Sequence, residues 1–336
     1  MNGRPTRRQF VQGAGVAGLG LLAGCWRLPG QAQQPSKVFR IGFLSGNAPA
    51  AAAASVEAFR QGLRALGYLE GENLVLEGRW AEGHLDRLPT LAAELVHLMV
   101  DLIAASTTPA VAAAKHATQT IPIVFAGIAE PVGSGLVASV ARPGGNLTGL
   151  ATRNDELHAK RLEFLKEAFP TVTRVGFLFN PEDSSNALGW QAIQGAAPLL
   201  SLAVRPLLVR SPSELDGTFE AALQDQLDGL LCAAGAVIAS RRARILEFAA
   251  DSRLPAMYGQ LDFADAGGLM AYAANFPEQW RRAATFVDKI LKGAKPAELP
   301  VERSMTFDFV INLKTAHALG LTIPPHVLLQ ATEVIQ

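Results

Sequence analysis

Short apolar segments alternate with segments of helical period from residue 38 onward, and this alternation runs, pauses and then starts again. No other feature of the chain limits its fold so tightly. A strand is expected at 38–44 (VFRIGFL), followed by the loop Ser45-Gly46-Asn47 and a helix with Val56, Phe59, Leu63 and Leu66 on one face, closed by Gly67. Strands follow at 74–78, 101–106 and 121–126. Between them Leu91, Leu95 and Leu98 mark a second helix, and an Ala-rich helix opens at Thr107-Thr108-Pro109. A short strand in 144–149 marks the pause. After a helix over 155–169 the pattern restarts at 175–180 (VGFLFN), which echoes the opening strand. A helix at 190–200 and a strand at 204–209 come next. Ser211-Pro212-Ser213-Glu214 then reads as a capping box for a helix bearing Leu215, Phe219 and Leu223. Strands at 227–233, 255–258 and 268–271 complete the second run, with a helix over 240–252. A helix striped by Trp280, Ala284, Val287 and Ile290, a proline-rich connector, an extended segment at 306–312 and a short helix end the chain.

Alternation of this kind builds parallel sheets covered by helices on both faces. Two such runs predict an α/β chain of two similar lobes. Open parallel sheets hold ligands outside the carboxyl ends of their strands. If the lobes face each other, strand ends from both line the cleft between them.

The first residues are read apart from the fold. Thr6-Arg7-Arg8-Gln9-Phe10 precedes an apolar run over 11–22, too short for a permanent membrane span. Paired arginines before such a run, Arg7 and Arg8 here, form the pattern of a twin-arginine export signal. Leu22-Ala23-Gly24-Cys25 resembles a bacterial lipobox, so Cys25 is expected to carry lipid and anchor a soluble body at a membrane surface. Simple cleavage after Ala32 is the alternative. A Pro- and Gln-containing tether runs to residue 37.

Of the two cysteines, only Cys232 then remains, which leaves no intrachain disulfide. It sits in an apolar run and reads as a small buried hydrophobe. Basic and acidic residues number 30 each, and the excised segment takes three arginines, so nothing points to nucleic acid. The six histidines have no metal-ligand spacing. No P-loop, nucleophile elbow or dinucleotide fingerprint is present, and Gly144-Gly145-Asn146-Leu147-Thr148-Gly149 lacks the required spacing. No cofactor is expected.

Candidate ligand-binding residues are those at strand carboxyl ends. Thr107 and Thr108 begin a helix, where free amides, hydroxyls and the helix dipole favour a carboxylate; ordinary capping needs only one of them. Ser45 and Asn47 follow the first strand, with a plain turn as the alternative. Glu130, an acid after the fourth strand, is placed to meet an ammonium, with a solvated loop acid as the alternative. Asn180, Ser185 and Asn186 follow the first strand of the second run. Tyr258 ends a later strand, with a core position as the alternative. Trp80 and Trp190 read as packing residues.

Several phrases resemble a known family: 59–68 (FRQGLRALGY), 79–83 (RWAEG), 136–149 (LVASVARPGGNLTG), 254–258 (LPAMY) and 312–316 (NLKTA). Together they resemble the ABC transporter substrate-binding family related to the tryptophan-binding TrpX proteins, from about Val38 to the C-terminus. The resemblance implies a type I periplasmic-binding fold with crossovers near Leu150, Ala273 and Pro300. The expected division is signal 1–24, tether 25–37, N-lobe 38–150 and C-lobe 151–273. A helix returns to the N-lobe over 274–300, and a hinge crossover with the C-terminal segment covers 301–336. It further implies a monomeric, extracytoplasmic binding protein, not an enzyme, that delivers a small molecule to an ABC permease in the inner membrane. The chain departs from the pattern twice. Cys232-Ala233-Ala234-Gly235 stands where those relatives carry Asp-Asn-Thr, and Ala129-Glu130-Pro131 where they carry Gly-Asp-Pro or Thr-Asp-Pro. The expected ligand is therefore the broader class of amino acids and related carboxylates. A ligand-sensing module using the same clamp and an exported α/β enzyme remain as alternative readings.

Overall fold

The computed structural model describes residues 37–152, 154–303 and 306–336. Arg7, Arg8 and Cys25, with the expected export signal, lie outside the described residues. The first lobe begins with β1 (Phe39–Ser45), α1 (Pro49–Ala65), β2 (Leu74–Trp80), α2 (Leu88–His97), β3 (Leu102–Ser106), α3 (Thr108–Ala117), β4 (Ile123–Ala129) and β5 (Leu147–Thr152). The chain then enters the second lobe through α4 (Asn154–Ala168), β6 (Arg174–Phe179), α5 (Ser184–Ala196), β7 (Ala203–Leu208) and α6 (Leu215–Gln224). That lobe continues with β8 (Gly229–Cys232), α7 (Ala236–Ser240), α8 (Arg242–Asp251), β9 (Ala256–Tyr258), α9 (Asp262–Asp265) and β10 (Met270–Ala274). Next α10 (Phe276–Leu291) and β11 (Glu302–Arg303) return to the first lobe. The second is finished by β12 (Phe307–Asn312), α11 (Leu313–Leu319), α12 (Pro325–Leu328) and β13 (Glu333–Ile335).

The first sheet has the order β11-β5-β4-β3-β1-β2, and each of its pairings is parallel. The second has the order β13-β12-β10-β9-β8-β6-β7, parallel except where β12 runs against β10. Both sheets are covered on two faces, as continuous apolar strands such as LIAAS in β3 require. In the first lobe, Ile41 and Phe43 of β1 enter the core beneath α1 and α10, whereas Leu44 enters the core beneath α2 and α3. This is the two-residue alternation of a strand. In the second lobe, Phe177 and Phe179 of β6 face α4 and α5, while Leu178 faces the side of α6 and α8.

Three local expectations need correction. The strand expected at 74–78 extends to Trp80, because the indole packs on Phe43 at 5.3 Å and keeps the chain in the sheet. The helix expected from 190 starts at Ser184, since the Asp183 carboxylate accepts the Ser185 amide and caps it earlier. The capping box at 211–214 does not form. Ser211 makes no cap, its hydroxyl meets that of Ser213, and the Glu214 carboxylate accepts the amide of Arg210 instead. A short 3-10 turn over Pro212–Glu214 takes its place. β13 was not anticipated; its three residues carry too little pattern to stand apart from a loop.

Helices α1 and α10 fix the base of the cleft. Trp280 of α10 lies against Phe43 and Phe59, with ring centroids 4.8 and 5.2 Å away. Gly62 of α1 permits the close approach: a Cβ there would stand 2.6 Å from the Arg281 carbonyl oxygen and 2.8 Å from the Ala284 Cβ. Gly62→Ala should therefore cost about 1–3 kcal/mol through overpacking against ~1 kcal/mol gained in helix propensity, a net loss of up to about 2 kcal/mol. A lower urea midpoint with an unchanged denaturant slope is the expected result.

Candidate functional site

The loops at the carboxyl ends of both sheets line a cavity of about 290 Å³. That is on the order of ten water volumes of ~30 Å³ each, near the small end of ligand sites, roughly 300–1,000 Å³. Its walls come from both lobes and from two of the segments that join them.

On the first lobe the wall is built from helix starts. Ser45 is fully buried, and its hydroxyl accepts the Asn47 amide at 3.1 Å, which turns the chain into α1. Asn47 then faces the cavity, and its buried Oδ1 has no hydrogen-bond partner. Pro49 opens α1, which has no side-chain cap and contributes Ala51, Ala52 and Ser55 of its first two turns to the wall. Thr107 precedes α3 with φ of 83°, a conformation costly for a branched residue. Its Oγ1 is buried without a partner, it does not cap α3, and both Thr107 and Thr108 line the cavity. Two helix N-termini thus reach the cavity without a side-chain cap. Their amides and dipoles make this wall electropositive.

On the second lobe Asp183, Ser185, Gly235, Gln260, Asp262 and Asp265 line the opposite wall. Asp183 caps α5, accepting the Ser185 amide at 3.0 Å and its hydroxyl at 2.7 Å. Burial raises the proton affinity of this carboxyl above the ordinary value, while hydrogen bonds from Ser185 and Asn186 oppose that shift. Asp262 is also pushed up by burial, with the guanidinium of its hydrogen-bonded partner Arg242 pulling it down. No Lys, Arg or His is among the described lining residues.

The joining segments supply the remaining wall. At Gly127, with φ of 72°, β4 shifts its register against β5. A Cβ there would approach the Phe276 ring to 2.8 Å, and its amide donates to Gln279 Oε1 at 3.1 Å. Asn275 accepts the Glu278 amide, which caps α10, and donates to Asp308 of β12 at 3.1 Å. The lobes also touch beyond the cavity. A Cβ on Gly46 would lie 2.9 Å from that of Ala236, and one on Gly83 would lie 2.6 Å from the Ser240 hydroxyl.

Of the sequence-derived candidates, Asn47, Thr107, Thr108 and Ser185 line the cavity. Ser45 shapes the turn behind it. Asn180 and Asn186 are buried braces: Asn180 Oδ1 accepts the Glu182 amide at 2.9 Å, and Asn186 donates to the Ala234 carbonyl at 3.1 Å. Asn180 Nδ2 and Asn186 Oδ1 remain buried without partners. Glu130 is half-buried with φ of 43° and does not line the cavity. Tyr258 is corrected outright. It is 1% exposed and stacked on Phe263 at 4.8 Å, because the β9 alternation turns its ring into the core. Trp80 and Trp190 pack against phenylalanines. Asp183, Gln260, Phe276 and Trp280 escaped sequence reading. Only Asp183 carried a usable signal, an acid directly before Ser-Ser at a helix start.

Behind the second-lobe wall, Arg161 is fully buried and donates to the carbonyls of Tyr272 at 2.6 Å and Gly259 at 3.4 Å. Its Nη1 reaches His158 Nδ1 at 3.3 Å. A guanidinium only donates, so the His158 proton sits on Nε2, which is buried without a partner. Burial brings Arg161 down to about 10. Burial, aided by the charge of Arg161, holds His158 well below its ordinary value. The unfolded chain therefore binds a proton that the folded chain refuses. Stability from this residue is complete above about pH 6.5 and falls below it by at most ~1.4 kcal/mol per pH unit. His158→Gln should flatten this part of the melting temperature–pH curve relative to the parent.

The family model described as ABC transporter substrate binding protein matches residues 41–335. A tyrosine-binding protein of Clostridioides difficile (strain R20291) is 24% identical over 316 residues, spanning 92% of this chain and 90% of the relative. The structure of an ABC domain from Streptococcus pneumoniae in complex with L-Trp is similar with a TM-score of 0.83 and 27% identity, over 89% of this chain and 100% of that one. A conserved domain protein from Vibrio cholerae has a TM-score of 0.84 and 26% identity over the same shares. More distant solute-binding and transcription-regulator structures share the type I periplasmic-binding fold alone.

Proposed function

The chain belongs to the ABC transporter substrate-binding protein family, and from that premise we propose that it reversibly captures an amino acid or related small carboxylate in the interlobe cavity, without turnover. The observation that carries this reading is the convergence of two uncapped helix N-termini, with the unpartnered Thr107 hydroxyl, on a cavity of about 290 Å³ between the lobes. Such a wall supplies amide and hydroxyl donors for a carboxylate without needing a cationic side chain. The cavity volume suits one small molecule, and a tyrosine-binding relative and an L-Trp-bound structural neighbour support the amino-acid class.

A ligand touching both lobes favours the arrangement in which they meet, because it gains contacts there that separated lobes cannot offer. The occupied form is then what an ABC permease receives. In the same reading the protein is exported through the Arg7-Arg8 signal and held outside the cytoplasm as a monomer by lipid on Cys25. Cys25→Ala should abolish incorporation of labelled fatty acid and release the protein from membranes in a fractionation experiment.

A thermal-shift series with the twenty common L-amino acids tests the capture itself. A true ligand raises the melting temperature with its concentration and is recovered chemically unchanged. Consumption of the ligand would instead establish an enzyme. Thr107→Ala and Thr108→Ala should each weaken binding by about twofold to tenfold, the loss expected for one neutral hydrogen bond. Calorimetric titration of the purified variants reads this directly.

A further inference from the structure

Resting on the capture reading, we propose that Asp183 is the subsite for a cationic nitrogen, so that the captured solute must carry an amine besides any carboxylate.

Among the described residues three carboxylates line the cavity, and they are not equivalent. Asp265 is exposed to solvent. Asp262 is hydrogen-bonded to the guanidinium of Arg242. Asp183 is 5% exposed, and among the described residues it has no Lys, Arg or His partner. Its bonds from Ser185, both made by Oδ1, come from neutral donors. Removing an ionised carboxylate from water without a counter-ion costs several kcal/mol; the cap bonds and the start of α5 offset part of this, and the remainder is relieved either by taking up a proton or by meeting a cation. Burial already shifts Asp183 in the first direction. A ligand ammonium supplies the second.

The opposite wall gives this subsite its polarity. The first turns of α1 and α3 carry no side-chain cap, whereas α5 is capped by Asp183 itself. Free amides on the first lobe therefore suit the carboxylate end of a ligand, and the acid on the second lobe suits its amine. A zwitterion engages both lobes at once, which is the condition for biasing them together. A simple carboxylate satisfies one wall and leaves Asp183 unpaired. A dianion fares worse, since no cationic side chain is among the described lining residues.

The test uses the complete protein and its Asp183→Asn variant. Asparagine is as good an N-cap as aspartate, so α5 keeps its start. Calorimetry compares each of the twenty common L-amino acids with the carboxylic acid that lacks its α-amine. The parent should bind an amino acid at least about tenfold more tightly than its deaminated counterpart, and Asp183→Asn should erase most of that preference. The unliganded variant should melt no lower than the parent at pH 8, because the folded parent holds an ionised carboxyl that burial disfavours. Equal binding of both members by the parent would overturn the Asp183 assignment and leave solute capture standing. So would a preference that survives in Asp183→Asn. Failure of the parent to bind either member of every pair would overturn the capture of amino acids and carboxylates as well.

Discussion

Everything at the cleft depends on strand direction. The five pairings in the first sheet are parallel, and a chain joining parallel neighbours must return across a face of the sheet before pairing again. Helices α1 and α3 consequently start where β1 and β3 end. The amides left unbonded in their first turns all gather at one edge. The second lobe repeats the arrangement with β6 and α5. When two such edges face each other, the space between them is lined by helix starts and short polar loops, whatever the rest of the surface carries.

The junctions keep that space intact. Gln279 of α10 holds the backbone of β4 at Gly127, and Asn275 ties the start of α10 to β12 of the other lobe. Trp280 both lines the cavity and packs on Phe43 and Phe59. The cavity wall is thus continuous with a hydrophobic core, so its geometry is set by packing as much as by polar contacts. Glycines at 46 and 83 bring the facing loops closer than any side chain would permit.

Buried charge is distributed unequally between the lobes. The first lobe meets the cavity with backbone dipoles, which need no proton and no counter-ion. The second keeps Asp183 at the cavity and Arg161 behind it, each buried to 5% exposure or less. Arg161 is satisfied by strand-end carbonyls and by His158, so its charge is spread over fixed dipoles. Among the described residues Asp183 is held by hydrogen bonds from neutral neighbours, so the two buried groups differ: Arg161 holds the second-lobe wall together from behind, and Asp183 lines the cavity.

The sequence by itself determined the class of fold and the direction of its strands. Apolar runs such as IGFL and VGFLF, spaced by helical stripes, leave few other ways to bury both faces of a sheet. It also placed Thr107, Thr108, Asn47 and Ser185 at strand ends, because strand ends are readable from where apolar runs stop. Tertiary structure decided which of those residues turn inward. Tyr258 and Glu130 sit at comparable strand ends, yet one ring enters the core and the other side chain lies off the cavity. Local pattern says where a strand stops, whereas the face a side chain finally presents depends on register, bulges and the packing of the opposite lobe. Trp280 and Phe276 make the same point from the other direction. They belong to a helix far along the chain that returns to the first lobe, and a return of that kind is set by three-dimensional packing between residues distant in sequence.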